Sequence, residues 1–307
     1  MKVYRSLDEF ITLDNAVATT GTFDGVHLGH QKILQLLSRK AAKVNGESVL
    51  LTFDPHPRHV LQPDTELKLL SSIDEKIALL EKTGLDHLII HPFTREFSRT
   101  PSLDFVREIL VNTIGVKHLV IGYDHHFGRN REGSFEHLKE FGPIYGFDVE
   151  EIEALDIDEV NVSSTKIRAA LEEGKVELAQ HYLGTSYSLE GTVVKGDELG
   201  RTIGFPTANI ELSFKHKLVP TDGVYAGMAT VEGQRYRAMA NIGARPTVDS
   251  THKKVEVNLF EFEGDLYGKK VKFELLHRLR SIERFESLDA LKNQLVEDKA
   301  QSLNLLV

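Results

Sequence analysis

The stretch Gly21-Thr22-Phe23-Asp24-Gly25-Val26-His27-Leu28-Gly29-His30 lies between an apolar, strand-like run at 16–20 and a strong helical pattern from 33 onward. We therefore predict a strand, a glycine-rich turn and a helix start. Glycines in such a turn allow positive φ, and the first free N–H groups of the helix favour an anion, typically phosphate. If the helix begins near His27, the imidazoles of His27 and His30 lie on one side of its first turn.

Two common phosphate-binding motifs, G-x-x-x-x-G-K-[ST] and G-x-G-x-x-G, are absent from the sequence. The pattern H-x-G-H after a strand resembles the signature of the nucleotidyltransferase superfamily, in which two histidines stabilise the α-phosphate as pyrophosphate leaves. The longer form G-x-F-D-G-V-H-x-G-H resembles the adenylyltransferase half of the bacterial bifunctional riboflavin kinase/FAD synthetase family. The resemblance implies that His27 and His30 are catalytic. It also implies ATP-binding roles for Gly21, Phe23, Asp24, Gly25, His27, Gly29 and His30. The alternative is that both histidines are incidental surface residues at a helix start.

Composition limits the other classes of function. With 307 residues, 41% hydrophobic and 27% charged, the chain is long enough for two ordinary domains. No apolar run approaches the length needed to cross a bilayer and the amino terminus is unlike a secretory signal, so we expect a cytoplasmic protein with no membrane partner. The net charge of −9 offers no basic face for nucleic acid. Because the chain has no cysteine, any metal must be held by oxygen or imidazole.

From about residue 16 to 152 the pattern alternates between strand and helix. The strand candidates are 48–53, 87–91 and 118–122, and the helices between them are 73–82 and 103–113. Repeats of this length predict a Rossmann-like α/β domain, a parallel sheet with helices on both faces. In such sheets, ligands bind beyond the carboxyl ends of the strands.

Two unusual loops fall at those strand ends. The first, 52–57, has two prolines that hold His56 in a fixed loop, although a simple turn is an equal alternative. The second, 122–133, is dense in hydrogen-bond donors and resembles the segment G-x-[DN]-F-x-F-G-x-x-x-x-G of the same family, with His125 where phenylalanine is usual. The resemblance implies flavin-binding roles in the adenylyltransferase for Asp54, His56, Asp124, Phe127 and Gly128.

A hydroxyl-rich segment at 162–168 opens another predicted helix, with Ser163 as its N-cap. Its hydroxyls and cations form a second anion cradle, although capping alone would also explain them. The segment resembles [IV]-S-S-T-x-[IK]-R, which in this superfamily grips the β- and γ-phosphates. The resemblance assigns that ATP-binding role to Ser164, Thr165 and Arg168, with Arg168 also catalytic.

After Gly184 the helical pattern stops, and short alternating strands are predicted at 224–231, 236–242, 254–262 and 271–276. They indicate a small antiparallel β-barrel. A final helix, from 288 to about 306 behind Ser287, should pack on the barrel through leucines 288, 291, 295, 303 and 306. The predicted fold class is thus α/β plus β, with domains 1–185 and 186–307.

The barrel half contains a second glycine-rich loop, 195–209. Its pattern G-R-x-x-G-F-P-T-A-N resembles the ATP-binding segment of riboflavin kinases, in which the threonine and asparagine help to hold Mg²⁺. The alternative is that 205–207 merely enters a strand. The resemblance implies metal-binding roles for Thr207 and Asn209. It implies ATP-binding roles in the kinase for Gly196, Gly200, Arg201, Gly204, Phe205, Pro206, Thr207 and Asn209.

Further segments, 222–226 and 241–247, resemble D-G-V-Y and N-[IV]-G-x-x-P-T of the same family. In the strand that follows, Glu256 and Asn258 share a face by alternation. The resemblance makes Glu256 the base that accepts the proton of the ribityl hydroxyl of riboflavin, where the alternative is a surface glutamate. Asn258 and Glu261 stand where the family often has histidine and aspartate.

The resemblance therefore implies a bifunctional flavin enzyme with ATP, riboflavin and FMN as its small-molecule partners. The carboxyl half is expected to phosphorylate riboflavin to FMN, and the amino half to convert FMN to FAD with release of pyrophosphate. The main alternative is a nucleotidyltransferase whose barrel only senses flavin. An RNA-binding flavin sensor is disfavoured by the acidic balance. The sequence leaves the oligomeric state open, a weak homo-oligomer included.

Overall fold

The computed structural model describes residues 1–122, 127–129, 132–152, 162–196, 199–244 and 253–306. The chain folds into two compact units, Met1–Ser163 and Ser164–Val307. The division between 185 and 186 stays a prediction, and the units differ from it by including the two helices before residue 186 in the second unit.

The first unit is built on a parallel sheet with the strand order β1-β4-β3-β2-β5-β6. From β2 the chain moves outward to β3 and β4 on one side, and later to β5 and β6 on the other. The order therefore reverses beside β2, where the carboxyl ends of the strands form a ligand crevice in folds of this kind. The strands are β1 (Lys2–Tyr4), β2 (Ala16–Thr20), β3 (Glu47–Asp54), β4 (His87–Pro92), β5 (Val116–Gly122) and β6 (Asp148–Ile152).

Helices cover both faces of this sheet. Strand β2 shows why: Ala16 and Ala18 belong to one hydrophobic cluster, whereas Val17 belongs to the cluster on the opposite face. The helices are α1 (Leu28–Lys43), α2 (Pro57–Leu61), α3 (Ile73–Leu80), α4 (Ser102–Asp104), which continues as a π-helix over Phe105–Ile114, and α5 (Phe135–Tyr145). The predicted Rossmann-like architecture is confirmed.

The second unit begins with two helices and continues into a closed antiparallel barrel with the order β10-β11-β8-β7-β12-β9. Its helices are α6 (Ser164–Glu172), α7 (Val176–Leu183), α8 (Leu199–Thr202) and α9 (Leu288–Leu305). Its strands are β7 (Tyr187–Val194), β8 (Ala208–Leu212), β9 (Gly223–Val231), β10 (Gln234–Ala244), β11 (Lys253–Leu259) and β12 (Lys270–Arg280). The predicted small barrel with a terminal helix is confirmed.

The final helix α9 packs differently from the predicted leucine stripe. Leu295 and Leu303 contact a barrel cluster as expected, but Leu288 is 53% exposed, so its predicted packing is wrong. The two buried helix positions are instead polar: Ser302 is 0% exposed and Asp298 is 1% exposed. The Asp298 carboxylate accepts two hydrogen bonds from the Arg280 guanidinium, at 2.9 and 2.7 Å. This bidentate ion pair raises the pKa of Arg280 and fixes the helix on strand β12.

Candidate active sites

The predicted phosphate turn follows β2 directly, at the point where the strand order reverses. Its backbone enters the left-handed region at Phe23 (φ 47°), Gly25 (φ 80°) and Val26 (φ 42°). Positive φ is strained for the β-branched Val26, so the conformation persists only where neighbouring groups hold it.

One of those neighbouring groups is Asp24, which is 2% exposed. Its carboxylate accepts backbone N–H groups from Leu70 at 3.0 Å and Ser71 at 3.1 Å, while the Ser71 hydroxyl accepts the N–H of Gly25 at 3.1 Å. The Asp24 carboxylate therefore fastens the turn to the loop before α3 through these hydrogen bonds. Its ATP-binding role stays a prediction.

Replacement of Asp24 by asparagine tests this fastening. The amide loses the charge and turns a donor toward backbone N–H groups, which leaves buried donors without an acceptor. We expect the free energy of unfolding to fall by about 1–3 kcal/mol, measured by chemical denaturation. The matched control is Asp14→Asn, at an exposed position of the same unit, which should leave stability unchanged. Equal stability of Asp24→Asn and the wild type would contradict the fastening role.

His27 and His30 form a stacked pair, with ring centroids 3.6 Å apart and an interplanar angle of 17°. His27 is the N-cap of α1, and its Nδ1 accepts the backbone N–H of His30 at 3.3 Å. The His30 ring also stacks on Phe23 at 4.5 Å. Because His27 is only 5% exposed, the alternative of incidental surface residues does not fit.

The hydrogen bonding of the two rings determines where their protons lie. Since Nδ1 of His27 is an acceptor, the neutral ring carries its proton on Nε2. Nδ1 of His30 is buried and has no hydrogen-bond partner within the described part of the chain, so a proton there would be an unsatisfied donor. Burial, followed by the charges of His27 and Lys76, lowers the pKa of His30 well below its ordinary value of 6.5. At neutral pH, His30 is therefore an uncharged Nε2–H donor.

Sequence reasoning missed Lys76 of α3, which is 6% exposed and donates from Nζ to the Thr22 carbonyl at 2.7 Å. Burial lowers its pKa, while the charges of Asp24 and Asp54 raise it. The sequence did contain a signal that Lys76 is buried, because it lies on the same helix face as Ile73, three residues before it, and Leu80, four residues after it. A lysine within an apolar stripe is rarely buried without a partner.

The predicted flavin-binding residues occupy the ends of β3 and the loop after β5. Asp54 ends β3 and is exposed, whereas His56 caps α2 by accepting the N–H of Arg58 at Nδ1, at 3.2 Å. Phe127 is 7% exposed, belongs to the hydrophobic core and packs on Phe105 at 5.6 Å. The structure thus gives Phe127 a packing role, and the flavin contacts of Asp54, His56, Phe127 and Gly128 stay predictions. Asp124 and its neighbour His125 lie outside the described residues.

The predicted triphosphate cradle opens α6 in the second unit. Helix α6 begins at Ser164, and its buried face is formed by Ile167, Ala170 and Leu171. Thr165 is exposed and Arg168 is half-buried. The roles of Ser164, Thr165 and Arg168 toward phosphate stay predictions.

In the barrel, the register of three strands brings the predicted base and metal ligand together. Strand β11 lies between β8 and β10, and Glu256 is directly paired with Asn209 on one side and Asn241 on the other. Directly paired residues of neighbouring strands lie on the same face of a sheet, so these three residues share one face. Val255 and Val257, which alternate with Glu256 along β11, are buried on the opposite face. The pairing along β11 has no register shift from 253 to 259, so Glu256 and Asn258 also share a face, as the alternation predicts.

Asn209 has the features of a ligand for a hard cation. It is 8% exposed, and its Oδ1 is buried without a hydrogen-bond partner in the part of the chain that the structure describes. A Cβ added to Gly196 would lie 2.0 Å from Nδ2 of Asn209, so a larger residue at this position would displace the Asn209 side chain. Thr207, two residues earlier, is exposed. Neutral oxygen ligands of this kind suit Mg²⁺, which keeps several waters and binds substrate phosphates.

Two neighbours fix the surroundings of Glu256. The Lys254 ammonium lies 2.6 Å from its carboxylate, and both side chains are about one quarter exposed. Asn258 donates from Nδ2 to the Pro206 carbonyl at 2.6 Å, which fastens the F-P-T segment to β11. The asparagine in place of the usual histidine therefore has a structural task. Glu261 is 78% exposed and 3.9 Å from Arg237, and residues 245–247 of the predicted N-I-G-A-R-P-T loop lie outside the described residues.

Together, these features define a class of protein. One unit carries two N–H donors at the glycine-rich turn after β2, and the other carries a carboxylate beside an amide oxygen that has no hydrogen-bond partner among the described residues. Such a chain is a two-unit enzyme of phosphate-group transfer.

Comparisons with known proteins identify the family. The family model of FAD synthetase matches residues 11–166, and that of riboflavin kinase matches residues 183–306. The bifunctional riboflavin kinase/FMN adenylyltransferase of Escherichia coli (strain K12) is 38% identical over 287 residues, which cover 93% of this chain and 91% of that protein. The Haemophilus influenzae protein of the same name is 39% identical, with 93% and 92% covered. This chain belongs to the family of bifunctional riboflavin kinase/FMN adenylyltransferases.

A solved structure, named as a macrolide-efflux protein from Streptococcus pneumoniae, is 30% identical and superposes with a TM-score of 0.88. The match covers 99% of this chain and 98% of that one, so the two share the whole fold. Among the described residues of this chain, none of the helices is both long and apolar enough to cross a bilayer.

Proposed function

We propose that this chain phosphorylates riboflavin to FMN in its barrel unit and then converts FMN to FAD in its α/β unit. One observation carries the proposal: the family model of FAD synthetase matches residues 11–166 and that of riboflavin kinase matches residues 183–306, so each of the two transfers has a family domain of its own. Both steps consume ATP, so we place the enzyme in the cytoplasm, with ATP, riboflavin and FMN as its partners.

In the first step, Glu256 accepts the proton of the terminal ribityl hydroxyl, and the oxygen of that hydroxyl attacks the γ-phosphorus of ATP. The bond from that phosphorus to the β-phosphate oxygen breaks, and ADP leaves. Lys254 holds the carboxylate in place through the ion pair of 2.6 Å. Mg²⁺, which Thr207 and Asn209 would hold, supplies positive charge against the charge on the phosphates.

In the second step, a phosphate oxygen of FMN attacks the α-phosphorus of another ATP, and pyrophosphate leaves. The acceptor is already ionised, so a strong base is not required. The Nε2–H groups of His27 and His30 donate to the α-phosphate oxygens, where negative charge develops.

The direct experiment incubates the protein with riboflavin, ATP and Mg²⁺ and separates the flavins by chromatography over time. We expect FMN to appear first and FAD to follow, with neither product formed when a chelator removes the metal. A protein that adenylylates supplied FMN but never phosphorylates riboflavin would instead support the alternative, a nucleotidyltransferase with a flavin-sensing barrel.

The metal assignment makes a separate prediction for Asn209→Ala. Because the variant lacks the amide oxygen proposed to bind the metal, we expect FMN formation to need roughly 10- to 100-fold more Mg²⁺, while FAD formation from supplied FMN is unchanged. Titration of the initial rates with Mg²⁺ measures both effects. Asn293→Ala, at an exposed position on α9, is the matched control. An unchanged Mg²⁺ requirement in Asn209→Ala would remove this residue from the metal site.

A further inference from the structure

Lys76 is a buried cation that neither transfer step uses. It is 6% exposed, and its Nζ lies 2.7 Å from the Thr22 carbonyl, inside the predicted phosphate turn. Desolvation of an ammonium group is costly, so a lysine kept at such a position needs a reason beyond filling space.

The segment that carries Lys76 grips the turn on both sides of Phe23. Before Phe23, the Thr22 carbonyl accepts from Lys76. After Phe23, the Asp24 carboxylate accepts from Leu70 and Ser71, which lie just before α3. The position of the Phe23 ring is therefore set from α3 and the loop that leads into it.

Phe23 in turn positions a proposed catalytic group. Its ring stacks on His30 at 4.5 Å, and His30 stacks on His27 at 3.6 Å. A displacement of Thr22 and Phe23 would be transmitted along this stack to the two N–H donors. The charge of Lys76 also acts on His30, where it helps to lower the pKa of the imidazole.

We propose that Lys76 is a positioning residue for adenylyl transfer, which sets the histidine pair through the Thr22 carbonyl and the Phe23 ring. This inference rests on the proposed function, since it assigns Lys76 to one of its two reactions. Lys76 acts through other residues and is given no contact with substrate.

Replacement of Lys76 by methionine distinguishes a positioning role from a purely structural one. Methionine has nearly the volume of lysine and no charge to desolvate, so a variant with methionine should be at least as stable as the wild type. The Thr22 carbonyl keeps a second donor, the Thr52 hydroxyl at 3.2 Å. Stability and positioning can thus be separated by one substitution.

The experiment compares full-length wild type, Lys76→Met and Lys76→Arg. For Lys76→Met we expect kcat of FAD formation to fall about 10- to 100-fold, because small displacements of catalytic groups are costly in rate. The KM values for ATP and FMN, the thermal midpoint and FMN formation from riboflavin should stay near those of the wild type. Lys76→Arg restores a cationic donor and should recover part of kcat. Lys82→Met, at an exposed lysine six residues along, is the matched control.

Two results would overturn the role of Lys76. One is an unchanged kcat of FAD formation in Lys76→Met; the other is a joint fall of both activities and of the thermal midpoint, which indicates a general role in folding. A wild type that forms no FAD would instead contradict the proposed function, and the assay without any substitution distinguishes this case.

Discussion

His30→Ala is expected to abolish FAD formation while FMN formation from riboflavin continues. The substitution removes one of the two proposed N–H donors to the α-phosphate and the ring that lies between Phe23 and His27. Loss of a single donor of this kind costs about 10²- to 10³-fold in rate, and displacement of the remaining ring adds to that loss. Initial rates of FAD and FMN formation, measured by chromatography on the same preparation, give the comparison.

His27 needs a variant that separates capping from catalysis. His27→Asn keeps an acceptor for the His30 N–H, since asparagine is a good N-cap, but lacks the Nε2 donor. We expect it to lose FAD formation with an unchanged thermal midpoint. His118→Ala, on β5, is a control that should retain both activities. Equal loss of FMN and FAD formation in His30→Ala or His27→Asn would contradict the two-site reading.

The lowered pKa of His30 also fixes the sign of a pH effect. A histidine with its ordinary pKa gains a proton as the pH falls through 6.5, but His30 stays neutral until the pH passes its lower value. Loss of FAD formation through protonation of His30 is therefore confined to pH values well below 6.5.

The second large effect is expected at Glu256. Glu256→Gln removes the proposed base for the ribityl proton but keeps nearly the same size, so we expect FMN formation to fall by about 10²- to 10⁴-fold. Adenylyl transfer to supplied FMN should continue at the wild-type rate, because it requires no group from strand β11. Separate assays started from riboflavin and from FMN measure the two steps.

A matched control is available close to the same strand. Glu261 follows β11 and is 78% exposed, so Glu261→Gln should leave both rates unchanged. If Glu256→Gln formed FMN at the wild-type rate, another group would be the base, and the pairing of Glu256 with Asn209 would have only a structural meaning.

Much of the fold was predictable because its central strands are strongly patterned. Strands β3 and β4 are buried at consecutive positions around the apolar runs 49–51 and 88–90, as expected for a parallel sheet buried on both faces. Strand β1 and helix α5 were not predicted, because their sequence patterns are weak. Strand β1 has only three residues, and α5 contains Gly142 and Pro143, which weaken a helical pattern. Strand β7 alternates regularly in burial, but it begins three residues after the helix-ending Gly184 and was not recognised.

The candidate sites were predictable only where the chemistry is local in sequence. The histidine pair was found because both residues lie in one turn, and its stacking confirms their common side of the helix. Lys76 was missed because its partner, Thr22, is 54 residues away. For the same reason the hydrogen bonds that the Asp24 carboxylate accepts from Leu70 and Ser71 were not predicted, and its ATP-binding role stays a prediction.

The strand order around β2 has an evolutionary consequence. The histidine turn belongs to this central strand, whereas the loops proposed to meet the acceptor follow β3 and β5, its neighbours on opposite sides. Under the proposed function, activation of the nucleotide and choice of the acceptor are thus encoded in separate segments of the chain. Either acceptor loop can be exchanged by mutation while the turn is inherited intact, so descendants of one ancestor can transfer nucleotides to different phosphates with the same pair of histidines.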